Sequence, residues 1–121
     1  MREIKFRAWD RATKLMFVIF DNEGENWFLP KWKSNYEVME FTGLLDEEGK
    51  EIYEGDLAEN DGRIYQVVWM PNHAKWGVKV IKTTHVLSKN MTFPIWQYVH
   101  EGTSTTNFKV IGNIHETQEA N

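Results

Sequence analysis

The chain contains no cysteine, which excludes disulfide frameworks, thiolate metal sites and cysteine nucleophiles at once. It has no long apolar run either. The longest, Leu15 to Phe20, is far short of the roughly 20 residues that a membrane-spanning helix needs. The opening Met1-Arg2-Glu3-Ile4-Lys5 is charged and no apolar segment of secretory type follows it. These absences predict a cytoplasmic protein of a bacterial cell, with no membrane partner. Internal repeats and low-complexity stretches are also missing. So is any Gly-x-x-x-x-Gly-Lys-Ser/Thr loop to cradle phosphate, and Ser34, Ser88 and Ser104 lack a Gly-x-Ser-x-Gly elbow.

What is present suits one ordinary domain. In 121 residues, 41% hydrophobic and 14% aromatic content is enough for a core. Six tryptophans are many for this length, and some must lie near the surface because Trp is rarely fully buried. A net charge of −4 gives no global drive toward nucleic acid. The distribution is uneven, however. Glu37 to Asp61 holds ten acidic residues against Lys50 alone, a balance of −9, whereas Gly62 to Lys89 holds five basic residues and no acid. Two solvated surfaces of opposite sign are the plainer reading; pairing within the fold or between subunits is the sharper one.

Alternation dominates the local pattern. Ile4, Phe6 and Ala8 on one face, with Lys5, Arg7 and Trp9 on the other, predict a half-buried strand with its aromatic at the wet end. Turn chemistry at Asp10–Lys14 and the apolar run behind it complete an N-terminal β-hairpin. Trp27-Phe28-Leu29-Pro30-Lys31-Trp32 packs large groups around a proline, to plug a barrel end or to form an adhesive surface. Tyr36 to Phe41 reads as a strand. Asn60-Asp61-Gly62 is a tight-turn signal between Gly55–Glu59 and Arg63–Met70, and Trp76 to Lys82 is a further alternating strand. Pro94 marks Met91–Val99 as an edge or irregular strand, His100–Asn107 reads as a mobile polar loop, and Phe108 to Ile114 alternates as a closing strand. Short strands joined by tight turns predict a mainly β fold. Its expected form is a small SH3-like barrel with an N-terminal β-hairpin extension and irregular connections.

The most informative stretch is Phe41 to Leu57, Phe-Thr-Gly-Leu-Leu-Asp-Glu-Glu-Gly-Lys-Glu-Ile-Tyr-Glu-Gly-Asp-Leu. It resembles the signature of the YopX family. The opening Arg2-Glu3-Ile4-Lys5-Phe6-Arg7-Ala8-Trp9-Asp10 and the ending Val110-Ile111-Gly112-Asn113-Ile114-His115-Glu116 are similar to that family's termini, in the same order. Departures are modest: Phe41 and His115 stand where Tyr is common, and Leu57-Ala58 where Ile-Val is usual. The resemblance implies a β-rich, SH3-type barrel, typically phage- or prophage-encoded, with no catalytic residues to carry over. It marks Thr42, Gly43, Asp46, Gly49, Tyr53, Gly55, Asp56, Gly112 and Asn113 as the structural signature. Residues 1–121 then form one domain, with N-terminal strands and signature turn over 1–54, barrel strands over 55–116 and a frayed tail over 117–121.

Chemistry finds little purchase. His73, His85, His100 and His115 are 12, 15 and 15 residues apart, without metal-ligand spacing, so neither metal nor cofactor is assigned. The carboxylates at Asp46, Glu47, Glu48, Glu51, Glu54 and Asp56 read as turn chemistry rather than an acid–base pair. Asp46 is expected to organise its loop and Asp56 to brace the first barrel strand. A non-catalytic protein acting through protein contact or self-assembly is therefore expected, with a homo-oligomer its simplest form. Nucleic acid is the alternative partner, through Tyr65, Trp69, Lys75, Trp76, Lys79 and Lys82. Trp27 and Trp32 complete the candidate binding surface. The plainer reading packs Trp69 and Trp76 into the core.

Overall fold

The structure, a computed structural model, describes residues 5–19, 36–83 and 90–116. The hairpin predicted at the N-terminus is formed by β1 (Phe6–Asp10) and β2 (Leu15–Ile19), in register from Phe6↔Ile19 to Asp10↔Leu15. Its turn is built by Asp10, which accepts the Ala12 N–H at 2.9 Å and the Thr13 hydroxyl at 2.8 Å. Lys14, at φ +64°, takes the left-handed position. Strand β3 (Tyr36–Leu45) pairs with the other side of β1, and the short β4 (Glu51–Tyr53) pairs with β3. The first sheet thus has the order β2-β1-β3-β4.

The second sheet is the curled half-barrel, ordered β8-β7-β6-β5-β9. It comprises β5 (Asp56–Asn60), β6 (Arg63–Met70), β7 (Lys75–Lys82), β8 (Thr92–Pro94) and β9 (Lys109–Asn113). A 3₁₀ helix, Ile95–Tyr98, separates β8 from β9. The Asp61-Gly62 turn places both residues at positive φ, +53° and +81°, the backbone that a two-residue hairpin turn requires. The last strand returns to pair with the first strand of the meander, the ordering of a small SH3-like barrel. Tyr65 and Val67 of β6, Val78 and Val80 of β7, and Phe108 and Val110 beside β5 fill its interior. Tyr65, Tyr98 and Phe108 meet ring to ring, with centroids 4.6–5.7 Å apart.

Several local expectations are corrected. Strand β1 is not half-buried with a wet aromatic: Ala8 and Trp9 are both buried, because β1 lies between two strands and Trp9 stacks on His115 at 5.4 Å. Strand β3 runs past Phe41 to Leu45, bending at Gly43 (φ +89°) with a register shift between Phe41 and Leu45. Glu51–Tyr53, expected as part of a connection, is a strand. Residues 100–107, expected to be mobile, are held: Thr106 is fully buried, its N–H and hydroxyl both reach the Leu45 carbonyl (2.8 and 3.0 Å), and Thr105 bridges Leu45.

The core assignment is testable by truncation. Phe108 is fully buried among aromatic rings while Ile111 is about half exposed. Phe108→Ala is expected to cost about 3–5 kcal/mol and Ile111→Ala less than about 1 kcal/mol. Urea denaturation of the two variants checks the difference.

Candidate functional site

The signature residues gather where the two sheets meet. Arg7 leaves β1 and places Nη2 2.5 Å from Asp56 Oδ1, with the guanidinium 4.5 Å from the Tyr53 ring centroid. Asp56 Oδ2 accepts the Tyr53 N–H at 2.8 Å. Burial pushes the Asp56 carboxyl above its ordinary value, although Arg7 and the Tyr53 N–H pull it down. Tyr53 is pushed up to about 12 by burial and by the carboxylate of Glu51, which its hydroxyl bonds at 3.1 Å. Lys5 pairs with Glu51 beside it. Gly55 follows at φ +87°, a conformation open to glycine at little cost, with Met39 Sδ 3.3 Å from where a Cβ would stand. The sequence did not single out Arg7, because strict alternation put it on a solvated face.

Asp46 is the second centre. It is buried, and Oδ1 accepts the N–H groups of Glu48 (2.9 Å) and Lys50 (2.8 Å) while Oδ2 accepts that of Val110 (3.0 Å). Burial acts to raise its pKa, but the three backbone donors outweigh it and hold the carboxyl below 3.8. Gly49, at φ +88°, closes this turn onto the Asp46 carbonyl. The Thr42 hydroxyl donates to the Ile52 carbonyl at 2.7 Å, tying β3 to β4. Asn113 follows Gly112 at the end of β9 and accepts the His115 and Glu116 N–H groups, both at 3.0 Å, capping the helical turn over 114–116.

The residues expected to form a binding surface are divided by the pleat. Tyr65 is a core side chain, 1% exposed, and leaves the list of surface candidates. Trp69 and Trp76 stand directly opposite each other on β6 and β7, ring centroids 5.0 Å apart, edge to face. They continue the inner face of the half-barrel to its end, where Trp69 emerges 43% exposed. Lys79 leaves β7 on the opposite face to Trp76, across from Gln66 and Thr92, and the exposed Lys82 lies at the far end of the strand. Only Lys75 stays with the tryptophans. Trp27 and Trp32 lie outside the described residues.

A surface residue was missed as well. Trp96 is 62% exposed and joins Trp69 and Trp76 around an open cavity of about 300 Å³ at the mouth of the half-barrel. An adjoining trough of about 550 Å³ shares Ile95 and Trp96 and continues past Leu44 to His100 and Glu101. Reading Met91–Val99 as a strand hid this. In a 3₁₀ helix, residues three apart share a face, so Ile95 and Tyr98 turn inward and Trp96 turns out.

A third recess, of about 290 Å³, opens between the sheets beside Glu37, Glu54 and His115. Burial raises the Glu54 pKa, with nearby Glu40 and Glu37 adding to the rise, and burial lowers that of His115. Among the described residues no three His, Asp or Glu side chains are grouped to hold a metal ion. No helix among them is long and apolar enough to cross a membrane.

The architecture is that of a mainly β protein with a half-barrel and a second sheet. A model of the family described as YopX protein matches residues 17–120, so the chain belongs to the YopX family. The crystal structure of protein EF1440 from Enterococcus faecalis is similar over 99% of both chains, with a TM-score of 0.58 at 22% identity, a likeness of fold. No curated protein matches the sequence.

Two outcomes follow from the buried carboxylates. Asp56→Ala strands the Arg7 guanidinium and is expected to cost about 3–5 kcal/mol, against less than about 0.5 kcal/mol for the exposed Glu48→Ala; equal melting temperatures would refute the brace. The lowered pKa of Asp46 means that its ionised form adds stability fully present above 3.8 and lost as the pH falls through the folded value. The gap in melting temperature between the native protein and Asp46→Asn should therefore be widest near neutrality and shrink below pH 3.8. Thermal melts across pH 2–7 read it.

Proposed function

We propose that this protein is a non-catalytic phage or prophage accessory protein, acting in the bacterial cytoplasm through contact with another protein or with a second copy of itself. The observation that carries the reading is the aromatic mouth. Trp69, Trp76 and Trp96 converge from three elements on one open cavity, and two of them expose 43% and 62% of their surface. Trp is enriched where protein interfaces concentrate their energy, because it brings a large apolar area with few rotamers to freeze. A fold that closes its core around Tyr65 and Phe108 gains nothing in stability from leaving Trp96 in water.

Nucleic acid is the competing partner, since exposed indoles also stack bases. Against it, Lys79 and Lys82 do not share the mouth, which leaves Lys75 as its nearby cation. Backbone tracking normally uses several.

Trp96→Glu should leave the melting temperature within about 2 °C of the native protein, because the side chain makes little core contact. It should remove concentration-dependent association in light scattering, or the proteins captured by the native chain from infected cells. Unchanged association and capture would sink the reading. Binding to labelled single-stranded DNA that falls with salt and with Lys79→Glu, yet ignores Trp96→Glu, would install nucleic acid instead.

A further inference from the structure

We propose that the helical turn over residues 114–116 is a pH-sensitive latch across the two sheets, docked while the His115 imidazole lies neutral on Trp9 and released when that ring takes up a proton. The device uses no residue of the tryptophan-lined cavity, so it stands or falls apart from the contact reading.

The turn is fastened to the two sheets in different ways. To the second sheet, and to Gly55 leading into it, the tie runs through the backbone. Asn113 pairs with Asp56 and caps the turn through the His115 and Glu116 N–H groups, and the Ile114 N–H donates to the Gly55 carbonyl at 3.0 Å. To the first sheet the turn is held by a ring. His115 stacks on Trp9 with centroids 5.4 Å apart and planes 11° from parallel. Among the described residues no hydrogen bond joins residues 114–116 to that sheet. A titratable side chain therefore carries the contact, and it covers one side of a buried indole.

The charges around the imidazole come from several elements. Arg7 stands on β1, Arg11 in the turn after it, Glu37 on β3 and Glu54 in the turn before β5, while β6 brings the uncharged Gln66 to the same recess. Glu116 follows on the turn itself, its carboxylate reaching back toward Gly112. Burial lowers the pKa of the imidazole below 6.5; Glu37 pulls it back up, and Arg7 and Arg11 push it down further. Glu37 is already paired with Arg11 at 2.6 Å. Glu54 is pushed toward its neutral form by burial and by Glu40 and Glu37. An imidazolium formed here thus leaves water and meets little free negative charge.

The docked turn favours the neutral ring, so its hold is fully present above pH 6.5 and is lost as the pH falls from there through the folded value. Glu54 acts in the opposite sense. Its pKa is raised, so its share of stability is present below 4.5 and lost as the pH rises through the folded value. The two oppose each other in a global melt, and a site-resolved measurement separates them.

The test is NMR of the full chain from about pH 8 to about pH 4.5, in which the four imidazoles and six indoles report separately. His115 should titrate with a midpoint below 6.5, and the Trp9 indole N–H should shift with that same midpoint. Across it, the hydrogen-exchange protection of the Ile114 amide should fall at least about tenfold while β6 and β7 keep theirs. His115→Tyr retains a stacking ring that titrates only near pH 10 (about 10 in the free side chain), and should show neither the Trp9 shift nor the loss of protection. A midpoint at or above 6.5, as attraction of an imidazolium to the indole face would give, overturns the proposal. So does a Trp9 signal that ignores the His115 titration, an Ile114 amide that keeps its protection, or a His115→Tyr chain that loses it as the native chain does. Loss of protection throughout β6 and β7 overturns it too, because the whole domain is then what opens. The native-chain readings decide the matter even where His115→Tyr does not fold.

Discussion

The pair of Arg7 and Asp56 is the constraint on which the molecule turns. It joins an inner strand of one sheet to an inner strand of the other, and its side chains are 11% and 1% exposed. Removing two charges from water is costly, and the upward push on the Asp56 carboxyl shows burial outweighing the attraction of Arg7. Such a pair adds little net stability, yet neither member can be deleted alone without leaving a buried charge uncompensated. Its value lies in geometry. Arg7 reaches Asp56 only when β1 crosses at one register, with Tyr53 under the guanidinium and Met39 against Gly55. A sliding sheet-on-sheet contact becomes a keyed one.

The second constraint is the edge that any open barrel leaves. Strand β9 is the last strand of its sheet, and an uncovered edge invites pairing with other chains. Here the turn of the family signature lies along that edge. The Glu47 N–H donates to the Phe108 carbonyl at 2.8 Å, and the Val110 N–H donates to Asp46 Oδ2. A carboxylate thus takes the place of a neighbouring strand's carbonyl. The same Asp46 shapes its own turn through the Glu48 and Lys50 N–H groups, so closing the edge and folding the turn are a single event. With that side covered, Trp69, Trp76 and Trp96 line an open cavity elsewhere on the half-barrel.

Much of this was legible in the chain. Alternation located β6 and β7, Asp61-Gly62 located their entry turn, and the three blocks resembling YopX bracketed the family that the match over residues 17–120 shows. The failures share a cause. Period-two reasoning assigns a face but not what covers it: it put Arg7 and Trp9 in water and Tyr65 on a binding surface. It also read the tryptophan-bearing stretch after Pro94 as a strand, when a change to three residues per turn sends Trp96 outward. Thr105 and Thr106 looked mobile because their partner, Leu45, is about sixty positions away.

What the sequence by itself determined was local: which segments pleat, where positive φ is needed, which chemistries the lack of cysteine removes, and which family the chain belongs to. These depend on neighbours within a few residues, and the chain states them directly. Only the tertiary structure decided what each face meets. Long-range pairing brought Arg7 to Asp56 and Asp46 to Val110, and it set Trp69, Trp76 and Trp96, from two strands and a 3₁₀ turn, around one opening. Burial and convergence are properties of packing between distant segments, and no local pattern encodes them.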